Sequence, residues 1–295
     1  MFKIIKNKKL RRFIIISLIL ILIGFIIAFV IGRLKDNYRS FYKTNDELVL
    51  EKTYTTIFSE ININTKMTDI YIKKSEDNNI KLLVYGEKEY ITFNEKNNKL
   101  FIDIKEKNFI AFDFYSCISK IELYLPEYYS NLIRLDSGFG NIEIDEFINL
   151  TLYVDQEYGN FLSHGVDFAK VTNDFGNVEL KYATKARVSA ESGNIKIGNV
   201  SNLELENEYG NIEIENIDEY LKLNNESGDI KINNMSLEKD SYIESKYGNI
   251  KINNINDVYI SAKSDHGKVK IKNNNKKSDI LLKVHNRSGD ININN

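Results

Sequence analysis

Few side chains in this sequence have the types and spacing that chemistry requires. The histidines are His164, His266 and His285, and Cys117 is the single cysteine. His266 stands just before a glycine, where Phe139, Tyr158, Phe175, Tyr209 or Tyr247 stand elsewhere, so it reads as a structural substitution. His164 precedes Gly165 in an irregular stretch. Cys117 has no basic neighbour in sequence that would activate its thiol, and it reads as core. One cysteine also rules out a disulfide within the chain. There is no phosphate loop, dinucleotide fingerprint, nucleophile elbow or zinc-ligand spacing. The expectation is a protein that is not an enzyme and holds no cofactor or metal.

Two charged sets remain as candidates. Glu157, Asp174, Glu191, Glu208 and Glu226 precede successive glycine turns by one offset. Stacked as a column they would repel one another, so they must be splayed, screened by water and salt, or bridged by cations. The denser glycine–aspartate pattern of calcium-binding nonapeptide repeats is lacking. The second set is basic: Lys231, Lys251, Lys268, Lys270 and Lys272. It could take an anionic wall polymer or lipid head group. It could equally be the solvated face of terminal rungs, guarding a sheet edge against pairing with another chain.

The elements that must carry these residues repeat. Glycine turns recur at Gly140, Gly159, Gly176, Gly193, Gly210, Gly228, Gly248, Gly267 and Gly289, most followed by apolar-polar-apolar as in Ile195-Lys196-Ile197. Such a period marks units that bury their apolar faces against their neighbours. Two all-β architectures fit: a β-solenoid with parallel rungs, or an antiparallel meander of hairpins. The residues between the apolar pair read Glu143, Leu162, Glu179, Lys196, Glu213, Lys231, Lys251, Lys270 and Asn292. In a solenoid these are neighbours about 4.8 Å apart, and the alternating charges of Glu179, Lys196, Glu213 and Lys231 become a favourable ladder. Asn141, Asn160, Asn177, Asn194, Asn211 and Asn249 would stack as an amide ladder. Both columns favour the solenoid.

Ahead of the repeats, residues 1–12 form a basic tail, and residues 13–32 are apolar except for Ser17. That length spans a bilayer as a helix, and the positive flank predicts a cytoplasmic N-terminus with the remainder outside. It exceeds an ordinary signal-peptide core, and no small-x-small cleavage site follows. The expected partner of residues 13–32 is the lipid bilayer, in a single-pass cell-membrane protein. Residues 33–47 read as a juxtamembrane linker, 48–126 as an N-terminal β region and 127–295 as the β-repeat domain. Strands are expected over 48–54, 57–63, 69–73, 80–85, 90–94, 100–105 and 118–125, with a tight turn at Asn97-Asn98. The aromatic run Phe109 to Tyr115 reads as core, and Pro126, the only proline, closes this region. Beyond residue 35 the chain is acidic overall, which opposes nucleic-acid binding.

Ile121-Glu122-Leu123-Tyr124-Leu125-Pro126, then Ser137-Gly138-Phe139-Gly140-Asn141-Ile142-Glu143-Ile144 and serial Ser-Gly-Asn-Ile-x-Ile units, resemble the bacterial "putative adhesin" family of repeat domains. The resemblance covers roughly residues 48–295 and implies a β-solenoid-like fold and a surface role. Some relatives are linked to envelope stress in Gram-positive bacteria; no catalytic residues carry over. The expected function is adhesion or envelope scaffolding, with cell-wall polymer, anionic lipid or a protein as partner. The alternative is envelope-stress sensing through a membrane partner. A carbohydrate-active enzyme would need carboxylates gathered in a cleft, which a regular column does not provide.

Overall fold

The computed structural model describes residues 47–87, 90–105 and 118–294. Residues 13–32, the run from Phe109 to Tyr115 and Cys117 lie outside them. Among the described residues no helix is long and apolar enough to cross a membrane. The strands join in one sheet system.

The first strands cap one end of a stack. Leu48–Tyr54 pairs antiparallel with Ile80–Gly86, which pairs antiparallel with Ile118–Leu125. Ile91–Lys96 and Lys99–Ile104 form a hairpin across Asn97 and Asn98, whose φ values of 53° and 58° are those of the tight turn expected there. Two parallel pairings then join this cap to the coils: Lys99–Ile104 on Glu60–Met67, and Ile118–Leu125 on Asp69–Lys74.

Away from this cap the coils pair in parallel, with register shifts only at Val166/Phe168 and Val200/Asn202 in the stack from Ile142 to Ser227. Glu60–Met67 lies on Leu132–Phe139, and Asp69–Lys74 on Ile142–Tyr158. The coils Ile142–Tyr158, Phe161–Phe175, Val178–Ser192, Ile195–Tyr209 and Ile212–Ser227 follow one on another. Neighbouring coils in this stack are all parallel, so the repeats form a β-solenoid and the hairpin meander is excluded. Period-2 alternation sets which side chains go in: Ile142, Phe161, Val178, Ile195, Ile212, Ile230, Ile250 and Ile291 make one buried column. Fully burying such a side chain contributes roughly 1.5–3 kcal/mol.

Each coil turns at its glycine. At Gly193 the φ is +147°, and an added Cβ would lie 1.9 Å from the carbonyl oxygen of Gly176. The collision is always with the preceding rung. Thr68 occupies the place below Gly140 in this column, and its Oγ1 donates to the Ile118 carbonyl at 3.1 Å.

The last rungs do not stack in chain order. Leu281–Ser288 pairs with Ser241–Tyr247 on one side and with Tyr259–His266 on the other. Ile291–Ile293 likewise lies between Ile250–Ile252 and Val269–Ile271. The later rung is therefore interior and the earlier one is at the edge. Burial follows this order. The interior rung brings Leu282, Val284, Ile291 and Ile293, all buried. The edge rung brings only Ile260 buried, with Ala262 and Ile271 half-buried and Val269 38% exposed.

Candidate functional site

The outer columns are built by the same register as the core. On the strands after the corners, the order is Glu143, Leu162, Glu179, Lys196, Glu213, Lys231, Lys251, Asn292, Lys270. The alternating ladder is present, with Lys196 3.9 Å from Glu179 and Lys231 bonded to Glu213. The hydrogen bond from Lys231 holds the Glu213 carboxyl below its usual range. The candidate basic patch is rearranged, however. Asn292 separates Lys251 from Lys270, because the inserted rung breaks the sequence order. Lys231 sits deeper, on a salt bridge. Lys268, Lys270 and Lys272 lie on or beside the edge strand Val269–Ile271. The basic end is thus an edge feature, centred on Lys251, Lys268, Lys270 and Lys272.

The strands before the corners form a second face, along which shallow hollows follow the stack. Its outer column is largely basic: Arg134, Lys170, Arg187 and Lys222. Arg134 bonds Glu60 at 3.0 Å and lies 4.5 Å over the Tyr153 ring, and Arg187 bonds Glu204 at 3.2 Å. Nearer the corner the face turns acidic, where Asp174, Glu191, Glu208 and Glu226 line a hollow with Glu206 and Glu244. Lys246 ends the acid column by pairing with Glu226.

The asparagine ladder runs through the corners. The Asn141 amide N–H donates to Asp69 Oδ1 at 2.7 Å, Asn160 to Asn141 at 3.1 Å, and Asn177 to Asn160 at 3.0 Å. Asn194, Asn211, Asp229, Asn249, Asp290 and Lys268 continue the chain of donors. Sequence reading found this column but missed a buried one behind it. Gln156, Asn173, Asn207, Asn225 and Asn286 donate to corner-glycine carbonyls at 2.6–3.1 Å. Their common offset from the glycines was the available signal.

A further cluster was not visible in sequence. Glu122 accepts from Lys73 at 3.0 Å, Lys120 at 3.3 Å, Tyr85 at 3.3 Å and Tyr124 at 3.2 Å. Burial pushes this carboxyl up, but the bonds from Lys73 and Lys120 outweigh it and hold it below its ordinary value. The cluster is saturated by its own members and acts as a structural clasp.

The histidines stay apart. His164 lies 3.2 Å from Lys181, His285 sits 3.2 Å from Asp265, and His266 ends the corner column. Among the described residues no three His, Cys, Asp or Glu side chains are grouped to hold a metal.

The family model described as Toastrack DUF4097 matches residues 58–295, every strand but the first, Leu48–Tyr54. The chain belongs to the Toastrack family. No match was found among curated proteins. The Toastrack solenoid is similar to a "putative adhesin" from Bacteroides fragilis, at 18% identity and TM-score 0.42, covering 83% of this chain and 96% of that one. It is similar to a "putative adhesin" from Parabacteroides distasonis, at 12% identity and TM-score 0.44, covering 85% and 100%. A "putative lipid binding protein" from Parabacteroides distasonis is similar at 15% identity and TM-score 0.44, covering 83% and 97%. These are similarities of strand arrangement.

Proposed function

We propose that this Toastrack chain is a single-pass bacterial cell-surface protein whose solenoid binds an extended partner without catalysis, as an adhesin or envelope scaffold. Residues 13–32 would anchor it in the bilayer, with the basic tail in the cytoplasm and the solenoid outside. The observation that carries the reading is the long face before the corners. There each coil repeats the same outward positions, and the hollows run on from coil to coil along the stack. Such a surface suits a partner that is itself long and repetitive, as solenoid faces generally do. The partners are wall polymer, anionic lipid or protein. Nucleic acid is disfavoured by the acidic stack.

The full chain in detergent micelles, incubated with isolated cell walls, anionic vesicles or matrix proteins across a salt series, tests the reading. Salt-sensitive binding to walls or vesicles that falls on Lys251→Gln/Lys270→Gln would assign the basic edge to it. Salt-insensitive binding to matrix protein would assign the long face and adhesion. Absence of binding to all three would remove the reading. Protease added to intact cells checks the topology: the solenoid should be cut and the tail spared.

A further inference from the structure

The residue before each corner glycine forms an outward column of its own, and its composition changes along the stack. Phe139, Tyr158 and Phe175 stack face to face, with centroids 4.6 and 4.9 Å apart and planes within 10°. Beyond them rings alternate with serines: Phe175, Ser192, Tyr209, Ser227, Tyr247, Ser288, His266. In chain order His266 would follow Tyr247 directly. The inserted rung places Ser288 between them and preserves the alternation.

We propose that the gap between Tyr209 and Tyr247 is a binding slot for the planar cation of an arginine side chain, carried by an extended polypeptide. Two ladder steps separate the two tyrosines, about 9.6 Å. One planar group set midway would stand about 4.8 Å from each ring, the spacing the chain itself uses in its aromatic stack. Tyr209 and Tyr247 are 57% and 51% exposed, against 42% and 44% for the stacked Tyr158 and Phe175. Their higher exposure fits rings without a stacking neighbour. The serine rung between them also carries Asp229, exposed, whose Oδ1 accepts the Asn249 amide. At the equivalent place the first gap, between Phe175 and Tyr209, has the neutral Asn194. A guanidinium matches this set: it is planar, lies on aromatic faces and bonds a carboxylate through its N–H fork. A second gap lies between Tyr247 and His266, with Ser288 and Asp290, although Lys268 stands one rung beyond that aspartate. The two gaps repeat at about 9.6 Å, and every third residue of a polyproline II segment advances about 9.3 Å. The segment that fits carries arginine at every third position.

The test uses the full chain in detergent micelles and fluorescently labelled peptides of Arg-Pro-Pro, Lys-Pro-Pro and Phe-Pro-Pro repeats, read by anisotropy. The Arg peptide should bind best. Tyr247→Ser should weaken it about five- to tenfold, and Asp229→Asn should weaken it while leaving the Phe peptide unchanged. Asparagine already occupies this column at other rungs, so Asp229→Asn keeps the ladder and the fold. Ser227→Tyr should fill the slot, abolish binding and melt no lower than the parent. Equal binding of the Lys peptide, preference for the Phe peptide, no binding, or insensitivity to Asp229→Asn would each overturn the proposal.

Discussion

At Gly193 the room available is smaller than one methyl group. The residue combines φ of +147° with a carbonyl 1.9 Å from any added Cβ. Gly193→Ala should therefore cost about 1–3 kcal/mol or more, read as a lower urea midpoint with the same coil spectrum. Glu122 makes a different prediction. Its carboxyl is held below the ordinary value of 4.5, burial opposing and the lysines prevailing. A depressed folded pKa means its contribution is complete above that ordinary value and is lost as pH falls through the lower folded one. Urea melts between about pH 7 and about pH 3 should show the loss, and Glu122→Gln should flatten that part of the profile. At neutral pH the substitution should cost about 1–3 kcal/mol, because Lys73 and Lys120 lose the negative charge they share and one carboxylate oxygen becomes an amide donor. Sequence gave no sign of this cluster, since its members come from Asp69–Lys74, Ile80–Gly86 and Ile118–Leu125 and meet only through pairing.

The ladder of corner asparagines makes each rung a hydrogen-bond acceptor for the next. Asn194→Ala should leave the Asn211 amide without its acceptor and cost about 0.5–1.5 kcal/mol by urea melt. Asn194→Asp should stay closer to the parent, because Asp229 and Asp290 already do this work at other rungs. This ladder was legible because each rung repeats Gly-Asn at one offset, and the charge ladder was legible for the same reason. The hairpin at Asn97-Asn98 and the strands Leu48–Tyr54 and Ile118–Leu125 were local enough to read directly. The order of the last rungs was not. Near-identical repeats make chain order the default, and the choice depends on which rung tolerates an open face. Val269, Ala262 and Ser264 tolerate it better than Ile291, Val284 and Asn286. Hydrogen exchange should report the result: amides of 282–293 should exchange more slowly than those of 260–271.

Across the stack, each rung touches only its neighbours, so stability is spread along the axis and the ends open first. The two ends differ. At one, antiparallel strands cover the first coil. At the other, Asn274 satisfies both backbone groups of Ile260 with its side-chain amide, standing in for part of the next rung. Lysines 268, 270 and 272 guard much of the rest, which is how exposed strand edges are kept from pairing. Limited proteolysis in rising urea should therefore cut within 259–280 before it cuts within 142–227. What the sequence carried for function was the periodic surface. What it could not carry was the alternation of rings and serines, which exists only once the last rungs are in their spatial order.

That order has a consequence for how the chain is made. Rung 259–271 leaves the ribosome, and crosses any membrane, before rung 281–293. Yet it must not settle on Ser241–Tyr247, because that place belongs to the later rung. Growth of the solenoid can follow synthesis coil by coil up to residue 252 and then has to pause. Completion is a docking step that waits for the later segment to arrive, and a stall in elongation between residues 271 and 281 would give the earlier rung time to occupy the wrong seat.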